Sequence, residues 1–221
     1  MNAFKVIWQS MKTFYDELFQ FLLMGTATLL AMLLVIPGPF ALAGLWGVAE
    51  NAVGGLEVSW EVFWQNAKKY GPRNWGNTIL ILGFYALLGA NFWFYNNSET
   101  SPFSQQVVFW LTAVWIALSV LWTGVTFYLL AFQLQMIEPK IFPALRNSFA
   151  LFFFNPIDTF IWLLFLAALI ALCVLLPPLV ILLPGFTAVL SITAVKTLLK
   201  PFIEKQKAAE SAQESEYGII E

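Results

Sequence analysis

An all-α, polytopic transmembrane helical bundle is the fold class this chain predicts, and three observations carry the prediction. Residues 18–49, 74–98, 100–137 and 159–195 contain no charged side chain. All 11 Lys and Arg residues lie between or beyond those stretches. Charged residues make up 11% of the 221 residues and hydrophobic ones 60%, where a soluble domain carries about 25% charge. No water-facing surface can be built from such runs, so the solvent they imply is hydrocarbon.

The elements follow in order. Residues 3–17 place Phe4, Ile7, Trp8, Met11, Phe14 and Tyr15 at helical spacing, with Lys5, Lys12 and Asp16 elsewhere, as suits an amphipathic helix at the membrane surface. Residues 18–36 form the first span, close to the shortest run that crosses a ~30 Å core at ~1.5 Å per residue. This run is too long for a signal-peptide core, so it reads as a retained span. Pro37-Gly38-Pro39 turns the chain into a second span, 40–53, which ends at Glu50, Asn51 and Gly54-Gly55. In residues 59–70 Ser59 is the candidate N-cap. Trp60, Phe63, Trp64 and Ala67 share one face there and Glu61, Gln65, Lys68 and Lys69 the other. Gly71-Pro72 is expected to break that helix.

The third span, 77–95, closes in the aromatic belt Phe92-Trp93-Phe94-Tyr95. A polar loop, 96–104, leads to the fourth span, 105–136, whose end with Gln133, Gln135 and Glu138 is expected to project into water. Pro139 and Pro143 flank the next joint, and 144–154 is aromatic and interfacial. The fifth span, 158–183, is expected to bend at Pro177-Pro178, with Pro184-Gly185 turning the chain into a sixth, 186–199. These six spans, arranged as helical hairpins with interfacial helices between them, make one transmembrane domain, 1–200. Residues 201–221 form a polar tail.

With six crossings, all 11 basic residues fall on one face of the membrane, which the positive-inside rule makes cytoplasmic, both termini included. An internal parallel repeat is also expected. A shift of 81 positions superposes Asn66, Asn74 and Thr78 on Asn147, Asn155 and Thr159, and Ile36-Pro37-Gly38 resembles Leu183-Pro184-Gly185.

Histidine is absent and Cys173 is the single cysteine, which removes an internal disulfide and the usual metal sites. No Asp or Glu falls inside a span, and Thr112, Ser119, Thr123 and Thr126 have no partner base, so no catalytic residue, metal or cofactor is expected. Nucleic acid is excluded as a partner because the basic residues are dispersed. Asn77 and Asp158 read as helix caps. Trp46, Trp110, Trp115 and Trp122 could stack on a neutral solute such as a sugar. Gly38, Ala41, Gly44 and Gly47 form a small-residue ridge for close helix packing, within the chain or against a partner. Lys68, Lys69 and Arg73, on a Trp-rich helix, are candidate contacts for lipid headgroups.

The stretch from Ile36 to Trp46, followed by Val62-Phe63-Trp64-Gln65-Asn66-Ala67-Lys68-Lys69-Tyr70, resembles the YesL-like family of bacterial membrane proteins, a domain of unknown function. The arrangement is similar over most of residues 15–200. The resemblance implies a bacterial inner-membrane location and a link to carbohydrate utilisation. The expected function is that of a non-enzymatic accessory or scaffold protein of a membrane complex, in contact with lipid and with another membrane protein such as a carbohydrate transporter. The alternative is a small facilitator or transporter of a neutral solute.

Overall fold

Two helices rich in small and β-branched residues, α3 (Gly38–Val53) and α8 (Leu183–Tyr217), form the interior of the molecule. The computed structural model describes residues 3–97, 103–136 and 140–217. Glu138, Pro139 and the 98–102 part of the polar loop lie outside the described residues. Around the interior stand α1 (Ala3–Asp16), α2 (Leu18–Leu33), α4 (Trp60–Asn96), α5 (Gln105–Leu134), α6 (Ile141–Phe154) and α7 (Pro156–Leu175), with a 3₁₀ turn at Pro177–Leu182. Among the described residues all regular structure is helical.

Burial separates interior from periphery. In the most apolar window of each helix, 6% of α4, 11% of α5 and 17% of α7 is buried, against 56% in the segment Pro177–Lys205. Helices α4, α5, α7 and Pro177–Lys205 are long and apolar enough to cross a bilayer. The chain is therefore a multi-pass helical membrane protein. The pair α1 and α2, bent by 91°, supplies at most a fifth crossing. The 16 residues of α3 reach only about 24 Å at ~1.5 Å each, so six full crossings exceed what helix length provides.

The amphipathic segment 59–70 and the third span are one helix of 37 residues, not two. Its buried residues Phe63, Ala67, Gly71, Asn74 and Asn77 form a single stripe at helical spacing that runs through Pro72 without a change of phase. Ser59 caps it, accepting from the Val62 amide at 3.5 Å. Proline disfavours helix at the preceding residue partly through that residue's Cβ, although α8 continues through Lys200-Pro201. Gly71 has no Cβ, and its bare backbone lies against the Phe40 ring. At Asn155-Pro156 and Leu176-Pro177 a side chain is present, and there the preceding residue leaves helical geometry and the helix ends.

The joint between the last two apolar segments also differs from expectation. α7 stops at Leu175 instead of bending through Pro177-Pro178, and the chain reverses over 177–182. Pro184 lies in the first turn of α8, where a missing N–H costs nothing, so it opens the returning helix. α8 then passes through Pro201 into the tail as far as Tyr217.

The two hairpin tips share a character. Leu33, Leu34, Val35 and Ile36 are exposed at the α2–α3 turn, as are Val174, Leu175 and Leu176 before the 3₁₀ turn. The 3₁₀ turn packs against the middle of α2: a Cβ on Gly25 would lie 2.9 Å from the Ile181 carbonyl oxygen. Val35 has φ 62°, a left-handed conformation that costs an L-residue about 1–2 kcal/mol. Val35→Gly should therefore raise stability by about 0.5–1 kcal/mol after the entropic cost of glycine. Thermal melting in detergent checks this, and an unchanged or lower midpoint would contradict it.

Candidate functional site

The small-residue ridge of α3 is where backbones meet. A Cβ on Gly44 would fall 2.8 Å from the Phe63 carbonyl oxygen, and one on Gly47 would collide with the Asn66 side chain. A Cβ on Gly38 would come within 3.1 Å of the Met32 Cα, and Ala41 is buried. The ridge therefore faces α4 and the end of α2. Lys68, Lys69 and Arg73 are exposed on the opposite side of α4, with the Lys69 ammonium 4.8 Å from the Tyr70 ring centroid.

Because α4 is drawn so close to α3, two of its asparagines are carried inside. Asn74 donates to the Pro39 carbonyl at 2.7 Å. Asn77 donates to Asn74 Oδ1 at 3.1 Å and to Gln133 Oε1 at 2.7 Å, and Gln133 donates back to Asn77 Oδ1 at 3.1 Å. All three amides are buried. Asn77 is thus an interior residue of α4 and not a cap, and Gln133 faces the protein instead of water. At the start of α7 the N-cap is Asn155, with Asp158 in the first turn, where its charge suits the helix dipole.

This amide network borders an open-sided chamber of about 610 Å³ lined by α3, α4, α5, α7 and α8. Asn74, Asn77, Thr78, Thr123, Thr126 and Thr187 give it its polar lining, and no charged residue reaches it. Among the tryptophans singled out by sequence, only Trp46 lines it, its indole N–H fixed on Ser191 Oγ at 2.9 Å. Trp122 instead stacks on Phe84 with ring centroids 4.2 Å apart, Trp115 on Tyr95 at 6.5 Å, and Trp110 is exposed.

The threonine hydroxyls are already oriented. Thr78 donates to the Asn74 carbonyl at 2.9 Å, Thr123 to that of Ser119 at 2.7 Å and Thr126 to that of Thr123 at 3.1 Å. Each hydroxyl has one proton, so these oxygens can only accept further hydrogen bonds. Tyr85, 2.6 Å from Thr123 Oγ1, must accordingly be the donor of that pair. The same reasoning makes Tyr128 the donor to Thr159, whose proton goes to the Asn155 carbonyl.

A second polar cluster ties helix ends together. Gln135 donates to the Glu50 carboxylate at 3.0 Å, and the Lys196 ammonium donates to the Glu50 carbonyl at 3.2 Å. Burial pushes the Glu50 carboxyl above its usual range, opposed by Lys196, by the Gln135 hydrogen bond and by Lys69. Among the described residues no three His, Cys, Asp or Glu side chains are grouped to hold a metal ion. Cys173 is half-buried.

The Asn74–Asn77–Gln133 network is the feature the sequence reading missed. Its signal was present, since Asn74 and Asn77 continue the Phe63–Ala67 stripe at helical spacing, but the expected break at Gly71-Pro72 concealed the continuity. No protein-family model, no curated protein and no solved structure matches this chain at a significant level.

Asn77→Leu leaves Gln133 buried without its partner, and should cost about 1–3 kcal/mol in detergent unfolding. Joining it to Gln133→Leu should restore part of that loss, because removing both partners of a buried pair is milder than removing one. A double variant no more stable than Asn77→Leu alone would show that the two amides are not coupled.

Proposed function

We propose that this chain is a non-enzymatic accessory or scaffold protein of a bacterial inner-membrane complex, acting through the outward face of its α4–α5 hairpin. The observation that carries the reading is on α4. Gly83, Ala86, Gly89 and Ala90 are exposed there, and a Cβ built on Gly83 or Gly89 would meet nothing within 4 Å. Small residues on a lipid-facing helix allow another helix to approach closely. The ridge of α3 is already filled from within the chain, whereas this one is open. Ile79, Leu82 and Leu87 border it as exposed apolar side chains.

A carbohydrate link for that complex rests on the resemblance of residues 36–70 to the YesL-like family. The cytoplasmic placement of both termini rests on the basic residues. It does not depend on whether the α2–α3 hairpin crosses fully, since a hairpin that turns back within the bilayer leaves Lys5, Lys12, Lys68 and Lys69 on the same face. The convergence of Glu50, Gln135, Lys196 and Lys69 supports a common level for the ends of α3 and α5 and the middle of α8. A facilitator of a neutral solute needs a chamber reached from water. The exposed rim of the chamber, Val120, Thr123, Phe160, Leu164, Ala167 and Ile170, belongs to helices apolar enough to span a membrane, which favours the accessory reading.

A photo-crosslinking residue at Leu82 or Leu87 should capture the same second membrane protein repeatedly in intact cells, and Gly83→Leu with Ala86→Leu should abolish that capture without lowering the thermal midpoint. Capture of lipid alone would remove the proposal. For orientation, cysteines introduced at Lys68 and Lys5 in a Cys173→Ala background should label from one face only. Labelling from opposite faces would overturn the topology.

A further inference from the structure

The chamber between α4, α5 and α7 is a mainly apolar space into which a few hydroxyls and two amides project. Its exposed edge residues, Val120 and Thr123 on α5 and Phe160, Leu164, Ala167 and Ile170 on α7, belong to helices long and apolar enough to span a membrane. A molecule entering past them comes from the lipid phase. Inside, it meets the amide network and four threonines, and no ionised group. About 610 Å³ lies within the ~300–1,000 Å³ range of small-molecule sites.

The polarity of the hydroxyls narrows the choice. Thr78, Thr123 and Thr126 have committed their protons to backbone carbonyls and offer only lone pairs, so the complementary head must donate. Thr187, which has no hydrogen-bond partner among the described residues, can supply a proton in return. An anionic head fits poorly, because no cation lines the chamber to offset its desolvation. A free polar solute fits poorly as well, because the way in lies between two helices apolar enough to span a membrane.

We propose that the chamber is a binding site for a neutral, hydroxyl-headed lipid of the monoacylglycerol type, with its hydroxyls against Thr78, Thr126 and Thr187 and its chain leaving between α5 and α7. The indole of Trp46, held by Ser191, forms a fixed wall for it. This site is independent of the helix-docking face on α4, and either can be correct without the other.

Native mass spectrometry of the full chain, released from a non-lipid detergent, tests the assignment with three probes: 1-monooleoylglycerol, oleate and glycerol. The expected result is a one-to-one adduct with monooleoylglycerol, at least about tenfold weaker binding of oleate, and none of glycerol. Ala167→Trp, at an exposed lining position on α7, fills the chamber and should abolish the adduct. Thr187→Val is nearly isosteric, and should weaken it about fivefold, as loss of one hydrogen bond predicts. Oleate binding as well as monooleoylglycerol would overturn the proposal by showing a site for chains alone. Glycerol binding by itself would overturn it by showing a water-accessible solute site. Should Ala167→Trp fail to fold, Thr187→Val decides: an unchanged affinity there removes the hydroxyl assignment.

Discussion

The structure depends on one constraint, the absence of side chains where α3 meets α4. Helices in a bilayer gain nothing from hiding apolar surface, because lipid is as apolar as leucine, so their association depends on close contact and on hydrogen bonds. Gly44 and Gly47 permit that contact, bringing the Phe63 backbone and the Asn66 side chain onto α3. Everything inward of that seam follows. Asn74 can reach the Pro39 carbonyl only because α4 lies so near, and Asn77 then stands where Gln133 of α5 can meet it. Sterics at two glycines thereby become a polar connection across three helices.

That connection also decides what kind of interior this is. Buried amides in a medium without water must satisfy one another, and these do, through a reciprocal pair. Thr78, Thr123 and Thr126 nearby give their protons to carbonyls of their own helices and keep lone pairs to accept with. The result is a cavity wall whose hydrogen-bonding sense is set before any guest arrives, in a setting that excludes charge.

Sequence made the helical class and most of the span positions legible, because charge-free runs are an unambiguous consequence of lipid as solvent. It was weakest at prolines. Pro72, Pro156 and Pro177 carry the same local signal, yet the first lies within a continuous helix while the other two follow helix ends. Gly71 lacks the Cβ that Asn155 and Leu176 present to their prolines, yet α8 continues through Lys200-Pro201, so the preceding residue eases a proline without deciding the outcome, which is set by packing. The ridge of α3 was legible as a packing surface, but which helix it meets was not, since pairing is a tertiary property. The chamber was illegible for the same reason: Trp46, Asn74, Thr126 and Thr187 are distant in sequence and share no local pattern.

The bare tips at 33–36 and 174–180 have a bearing on how the chain reaches its membrane. They contain no ionised group and no polar side chain. Passing such a turn through hydrocarbon therefore requires no stripping of water from charge. The connection between α4 and α5 is different, since it carries Glu99 among asparagines and serines. Moving the two bare turns into hydrocarbon costs no desolvation of charge, whereas moving the α4–α5 connection would cost that of a carboxylate.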